Sequence, residues 1–147
     1  MRFCYPVELT DDGDGPAAAH GVLVSFPDLA EANTFGRDRR DALASAVDCL
    51  EEALAGRICG RAPIPEPSPA RGRPTVAPGG LIAAKTALYL ALRAAGLSQA
   101  ELARRMGVRP TTVQRLLDPR HASKPEQFDA AFAALGKRLV VSVETAA

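Results

Sequence analysis

The chain has 147 residues, 47% of them hydrophobic and 24% charged, the proportions of a soluble folded protein with one medium domain or two small ones. No apolar run approaches the roughly 20 residues of a bilayer span, and the opening MRFCYPVELTDD lacks the apolar stretch of a signal peptide; the expected compartment is the cytoplasm, with no membrane partner. Three cysteines without close pairing argue against a disulfide framework, and Cys4 and Cys49 read as small buried apolar residues.

The net charge of +1 conceals a division. Residues 1–70 carry 6 Lys/Arg against 12 Asp/Glu, a balance of −6, whereas residues 71–147 carry 12 against 5, a balance of +7. Two modules with different partners are expected. The basic half suits phosphate, and the acidic half suits a basic protein.

In chain order, Phe3, Tyr5, Val7 and Leu9 alternate at the period of a half-buried strand. DDGDG, Asp11 to Gly15, reads as a turn. HGVLVSF, His20 to Phe26, is a second strand that completes a hairpin, and Pro27-Asp28 ends it. A third short strand is expected near Asn33 to Phe35. Asp38 is a good helix N-cap, and Leu43, Val47, Leu50 and Leu54 form one apolar stripe of a helix that Gly56 terminates. GRAPIPEPSPARGRPTVAPGG then carries six prolines between Ala62 and Pro78. Proline removes backbone donors and fixes φ, so this stretch reads as an extended linker, with a short edge strand over 74–77 as the alternative for part of it.

LIAAKTALYLALRAAG, Leu81 to Gly96, is a helix whose Leu81, Leu88 and Leu92 share a face. Ser98 and Glu101 make a capping box for the next helix, with Leu102, Ala103 and Met106 inside, and Gly107 breaks it. Pro110 opens a further helix with Val113, Leu116 and Leu117 inside. Counted from Gln99, Ala is fifth, Gly ninth, Val fifteenth and Leu eighteenth, a spacing that resembles the repressor-type helix-turn-helix throughout. In that family the second helix enters the major groove. The resemblance points Arg109, Thr111, Thr112 and Arg115 at bases, where Arg pairs with guanine and Thr meets thymine. It gives Gln99 and Gln114 phosphate contacts. Arg104 and Arg105 are expected to face phosphate or solvent.

Ser123 and Glu126 form another capping box, ahead of an amphipathic helix carrying Phe128, Ala131, Phe132 and Leu135. KRLVVSVE closes with alternation at Leu139, Val141 and Val143, a strand. A helical module offers it no partner, so pairing with its copy in a second chain, as a homodimer, is expected; fraying or joining the N-terminal sheet are the alternatives.

The expected fold is therefore an α+β module over residues 1–61, a small antiparallel sheet with one helix; a proline-rich linker over 62–80; and an all-α helix-turn-helix module with a terminal strand over 81–147. No enzyme, metal or cofactor is expected. No Glu stands where a calcium loop starting at Asp12 or Asp14 needs it, and His20 and His121, the two histidines, are far apart in sequence.

YPVEL, the acidic Gly turn, VSFPDLAEANTFG, DALASAVDCLEEAL, IPEPSP, the helix-turn-helix and KRLVVSVE, in that order, resemble a HicB-type antitoxin over nearly the whole chain. The resemblance implies a degenerate, RNase H-like N-terminal module that covers HicA, a small basic mRNA-cleaving toxin. It implies a C-terminal module that binds operator DNA and represses the operon. The toxin would then meet the acidic residues Asp11, Asp12, Asp28 and Glu31. The sequence departs from the family at Ala17–His20, where a glycine and an aromatic are usual, and at Ala30-Glu31-Ala32, where Pro-Gly-Cys is usual. A stand-alone helix-turn-helix regulator, with a ligand-sensing or dimerising N-terminal module, is the other reading.

Overall fold

The computed structural model describes residues 1–12 and 21–145. The chain divides into two compact units, Met1–Ala83 and Ala84–Ala147. The first contains β1 (Tyr5–Pro6), β2 (Glu8–Asp12), β3 (Gly21–Phe26), β4 (Leu29–Gly36), α1 (Arg39–Cys59) and β5 (Thr75–Val76). Then follow α2 (Gly80–Ala94), which leads into the second unit, α3 (Gln99–Met106), α4 (Pro110–Leu117) and α5 (Pro125–Ala134).

The N-terminal alternation is realised as buried side chains at Phe3, Tyr5 and Val7, but the extended run changes partner. β1 pairs antiparallel with β5, while β2, β3 and β4 form a three-stranded antiparallel sheet in that order. Asp11 and Asp12 belong to β2, opposite Val22 and Gly21, rather than to a turn, because the β3 ladder takes up their backbone groups. The rest of that expected turn, 13–15, and His20 lie outside the described residues. The third strand is longer than expected, since β3 offers β4 a ladder along its length; its register shifts between Ser25 and Phe26.

Asp38 caps α1, its Oδ1 accepting the Asp41 N–H at 2.8 Å. The buried stripe is Ala42, Ala46, Leu50, Leu54 and Ile58, not the Leu43, Val47, Leu50 and Leu54 stripe; Leu43 and Val47 stand half-buried at its margin. The rotation follows from a close approach. A Cβ on Gly36 would stand 2.1 Å from the Ala42 backbone nitrogen, so glycine and alanine face each other where helix meets β4. Gly56 does not end the helix. It is exposed, and the turn beyond it buries Ile58; that burial stabilises by more than the roughly 1 kcal/mol that an internal glycine costs. The helix ends at Gly60, whose N–H donates to the Gly56 carbonyl at 2.9 Å.

The proline-rich stretch has no helix before Gly80, and Thr75–Val76 within it is a strand at the edge position expected over 74–77. It lies within the first unit rather than between the two. Ile64 and Val76 are buried, the Tyr5 hydroxyl donates to the Pro65 carbonyl at 2.8 Å, and the Val7 N–H donates to the Pro74 carbonyl at 2.9 Å. The Gly79 N–H donates to Glu51 Oε1 at 2.7 Å. A segment poor in donors is held by carbonyls that accept from the folded core.

Along α2, Leu88 and Leu92 are buried as expected, whereas Leu81 is exposed. α5 buries Phe128, Ala131 and Phe132. Its N-cap is Lys124, whose N–H donates to the Gln127 side chain at 3.1 Å; Ser123 and Glu126 do not form the box, because the Ser123 hydroxyl is engaged elsewhere. Gly136, at φ 68°, ends the helix with the Lys137 N–H returning to the Phe132 carbonyl at 2.8 Å. The terminal strand expected over 137–144 is not formed within the single chain, where Val141 and Val143 are 83% and 97% exposed. A strand needs a paired backbone, and none of the described residues 137–145 is in a strand.

Opposite effects follow for one substitution at two glycines. Gly36→Ala forces two backbones apart and should lower stability by about 2 kcal/mol or more. Gly56→Ala, with nothing within 4 Å of the added methyl, should raise it by about 0.5–1 kcal/mol. Urea denaturation of the full chain checks both.

Candidate functional site

The helix-turn-helix is built from short-range rules. Ser98 caps α3, its Oγ accepting the Glu101 N–H at 3.1 Å. Gly107 takes the left-handed conformation (φ 66°, ψ 32°), which glycine adopts without strain, and closes the helix onto the Ala103 and Arg104 carbonyls. Pro110 opens α4, where its missing N–H costs nothing. Leu102, Ala103, Val113, Leu116 and Leu117 are buried between the helices.

That burial fixes which residues of α4 face outward. Thr111, Gln114 and Arg115, at i, i+3 and i+4, are exposed on one face; Arg109 is exposed just before it, and Thr112 and Gln99 stand half-buried at its flanks. The six residues expected to meet DNA thus lie on α4, its N-cap and the first turn of α3. Arg104 and Arg105 are not free cations. Glu101 accepts from Arg104 Nε at 2.9 Å and Nη2 at 2.7 Å, and from Arg105 Nε at 3.1 Å. The hydrogen bonds from Arg104 and then Arg105 hold the Glu101 carboxyl at about 2, well below its ordinary value.

The four acidic residues are not one cluster. Asp11 is exposed on β2 opposite Val22, and Asp12 is opposite Gly21, at one end of β3. Asp28 follows the other end of β3, half-buried, and its Oδ2 accepts the Ser68 N–H at 2.9 Å. Glu31 lies in β4 near the same end and pairs with Arg57, which also donates to the Pro63 carbonyl at 2.6 Å. The Arg57 hydrogen bond holds the Glu31 carboxyl below its ordinary value. The Tyr5 hydroxyl behind this corner is pushed up to about 12, by burial first and then by the negative charge of Asp28. Asp28 and Glu31 therefore anchor the proline-rich stretch, whatever else they do.

Two features escaped sequence reasoning. Leu23 and Phe35 are cross-strand partners on the outer sheet face, 44% and 45% exposed, with the Phe35 ring lying over Gly21. Their positions opposite the buried Val22 and Val24 were a readable signal. Lys85 is fully buried on the apolar stripe of α2; a lysine three and seven residues before Leu88 and Leu92 was the signal there.

A small sheet-and-helix unit followed by a helix-turn-helix is the architecture of a two-unit DNA-binding protein. The family described as HicB-like antitoxin of bacterial toxin–antitoxin system matches residues 4–77, and a helix-turn-helix family matches residues 88–117. An antitoxin HicB of Photorhabdus laumondii is 39% identical over 135 residues, 92% of each chain. The antitoxin HicB of Pseudomonas fluorescens is 36% identical over 148 residues, 99% of this chain and 97% of that protein; that of Escherichia coli K12 is 36% identical over 136 residues, 92% and 95%. The chain belongs to the HicB antitoxin family, and its second unit carries that family's DNA-binding helix-turn-helix. Among the described residues, no helix is long and apolar enough by itself to cross a membrane.

The Glu101 pairing has a pH consequence. A carboxyl depressed in the folded state stabilises above its unfolded value and loses that contribution only as pH falls through its folded value. The ion pairs should therefore persist through mildly acidic conditions, down to about pH 2. An NMR titration of the Glu101 carboxyl should show this low midpoint in the native chain and a higher one in Arg104→Ala.

Proposed function

We propose that this chain is an antitoxin that binds and neutralises a small basic, mRNA-cleaving HicA-type ribonuclease and represses its own operon by binding operator DNA. One observation carries the reading: a single chain joins a unit of the HicB antitoxin family to a helix-turn-helix that exposes Arg109, Thr111, Gln114 and Arg115. In this reading the sheet-and-helix unit is a degenerate RNase H-like fold used for binding. Its excess of carboxylates favours a basic partner, and Asp11, Asp12, Asp28 and Glu31 contribute to the surface that the toxin meets. Asp11 is the most available of those with described side chains, since Asp28 and Glu31 already hold Ser68 and Arg57.

On the DNA side, Arg109, Thr111, Thr112 and Arg115 read bases, and Gln99 and Gln114 hold phosphate. Two-fold operators call for a dimer. The segment KRLVVSVE supports one, because Leu139, Val141 and Val143 alternate along a stretch that forms no strand within the single chain and exposes Val141 and Val143. Two copies pairing antiparallel would satisfy both backbones at once. The compartment is the cytoplasm, where DNA, messenger RNA and toxin meet.

A pull-down from native cells at mild salt should recover one small basic protein in stoichiometric amount; recovery of nothing, with operator binding intact, would instead make the chain a lone regulator. Arg115→Ala should weaken operator binding by about tenfold to a hundredfold, the value of one bidentate Arg–guanine pair, and leave toxin binding unchanged. Equal loss of both would defeat the proposed division. Val141→Lys should convert the dimer to monomer by sedimentation velocity, with the helices retained.

A further inference from the structure

Lys85 sits among Thr86, Leu88 and Leu92 on the buried side of α2, with no exposed surface. Removing an ammonium from water is costly, and a well-packed apolar residue at such a position is often the more stable choice. The charge is retained here under strict conditions. An ammonium has three donors, and three acceptors meet it: the Arg115 carbonyl at 3.1 Å, the Leu116 carbonyl at 2.9 Å and the Ser123 hydroxyl at 3.0 Å. The Phe128 ring adds a face 5.6 Å from the nitrogen. Burial lowers the pKa of Lys85, and the charge of Asp118 opposes that shift.

The acceptors decide what this arrangement does. Both carbonyls belong to the last turn of α4, where the helix dipole is negative; the Arg115 carbonyl also accepts the Asp118 N–H at 3.2 Å. Ser123 stands just before α5. One buried nitrogen on α2 thus pins the C-terminal end of α4 and the start of α5 to the same point. α4 has only eight residues, and beside the burial of Val113, Leu116 and Leu117, which sets its outward face, the clamp ties down its C-terminal end. Arg115 supplies both a carbonyl to this clamp and an exposed side chain to the outward face. Base-edge hydrogen bonds are sensitive to the displacement of their donor in a way that diffuse attraction to phosphate is not.

We propose that Lys85 is a positioning residue for DNA reading: without touching DNA, its clamp on the end of α4 sets the placement of Thr111, Gln114 and Arg115, and so the preference for operator over other duplex. This inference rests on the DNA-binding reading above. A leucine or methionine would fill the same volume and hold the helices together, but would remove the donor to the Leu116 carbonyl and leave the Arg115 carbonyl with the Asp118 N–H, so that the end of α4 loses its tether to α2.

The test is fluorescence anisotropy of the full chain with two duplexes of equal length, one from upstream of its own coding region and one with that sequence scrambled. Lys85→Met should reduce the ratio of operator to scrambled affinity by about tenfold, the effect of one unmet buried group, while scrambled binding and the far-UV circular dichroism stay within error. Amide shifts in two-dimensional NMR should change at 113–118. Equal loss on both duplexes means a merely structural lysine and overturns the proposal; so does an unchanged ratio. If Lys85→Met does not fold, Ser123→Ala decides, since it removes one acceptor and leaves the rest. A smaller fall in the ratio supports the clamp, and no fall overturns it. A native chain without preference for its upstream duplex overturns the DNA reading itself, an outcome distinct from native preference that survives in both variants.

Discussion

The first unit depends on one constraint, that two backbones pass closer than most side chains allow. In the first unit Gly36 faces the backbone of Ala42, and the helix settles on the sheet through Ala42 and Ala46 before larger residues take over at Leu50, Leu54 and Ile58. The small end of this stripe fixes the helix height above β4, and the large end fills the wedge that the helix opens. In the second unit Ala103 is buried between α3 and α4, and Gly107 supplies the left-handed turn between them. A larger residue at Gly36 would separate surfaces that derive their stability from close packing, whereas Gly107 is required by its positive φ and not by crowding.

Around these approaches, polar groups act as tethers. Carbonyls of the proline-rich stretch accept from Tyr5, Val7 and Arg57, and its Ser68 and Gly79 amides donate to Asp28 and Glu51. Proline cannot donate, so the stretch is held largely through what it accepts. The consequence for function is that acidic residues of this unit are divided in role. Glu51, Asp28 and Glu31 bind their own chain, whereas Asp11 is exposed on a strand at the sheet margin. Net charge alone, −6 over the first 70 residues, does not distinguish the two groups.

The second unit makes a similar division among its cations. Glu101 holds Arg104 and Arg105 on α3, and Lys85 is buried. Arg109 and Arg115 are exposed at and along α4. Of the charge of +7 over the second half, which already counts Glu101, burial withdraws Lys85 from solvent.

The sequence by itself determined the elements governed by neighbours in the chain: the hairpin strands, the Asp38 and Ser98 caps, the Gly107 turn, Pro110 at the start of α4, and the inner face Ala103, Val113 and Leu116. The ordered motifs were also enough to point to the antitoxin family. Only the tertiary structure decided features that depend on residues far apart. The stripe of α1 rotated because Gly36 lies against Ala42; Gly56 stayed within the helix because Ile58 found cover; and the segment at 62–80 joined the first unit because Tyr5, Val7 and Asp28 reach it. Ser123 left its expected capping role because Lys85, on α2, needed a third acceptor. Propensity and spacing describe what a residue offers its neighbours within a turn or two. Which distant group takes up the offer depends on packing, and packing is a property of the folded chain.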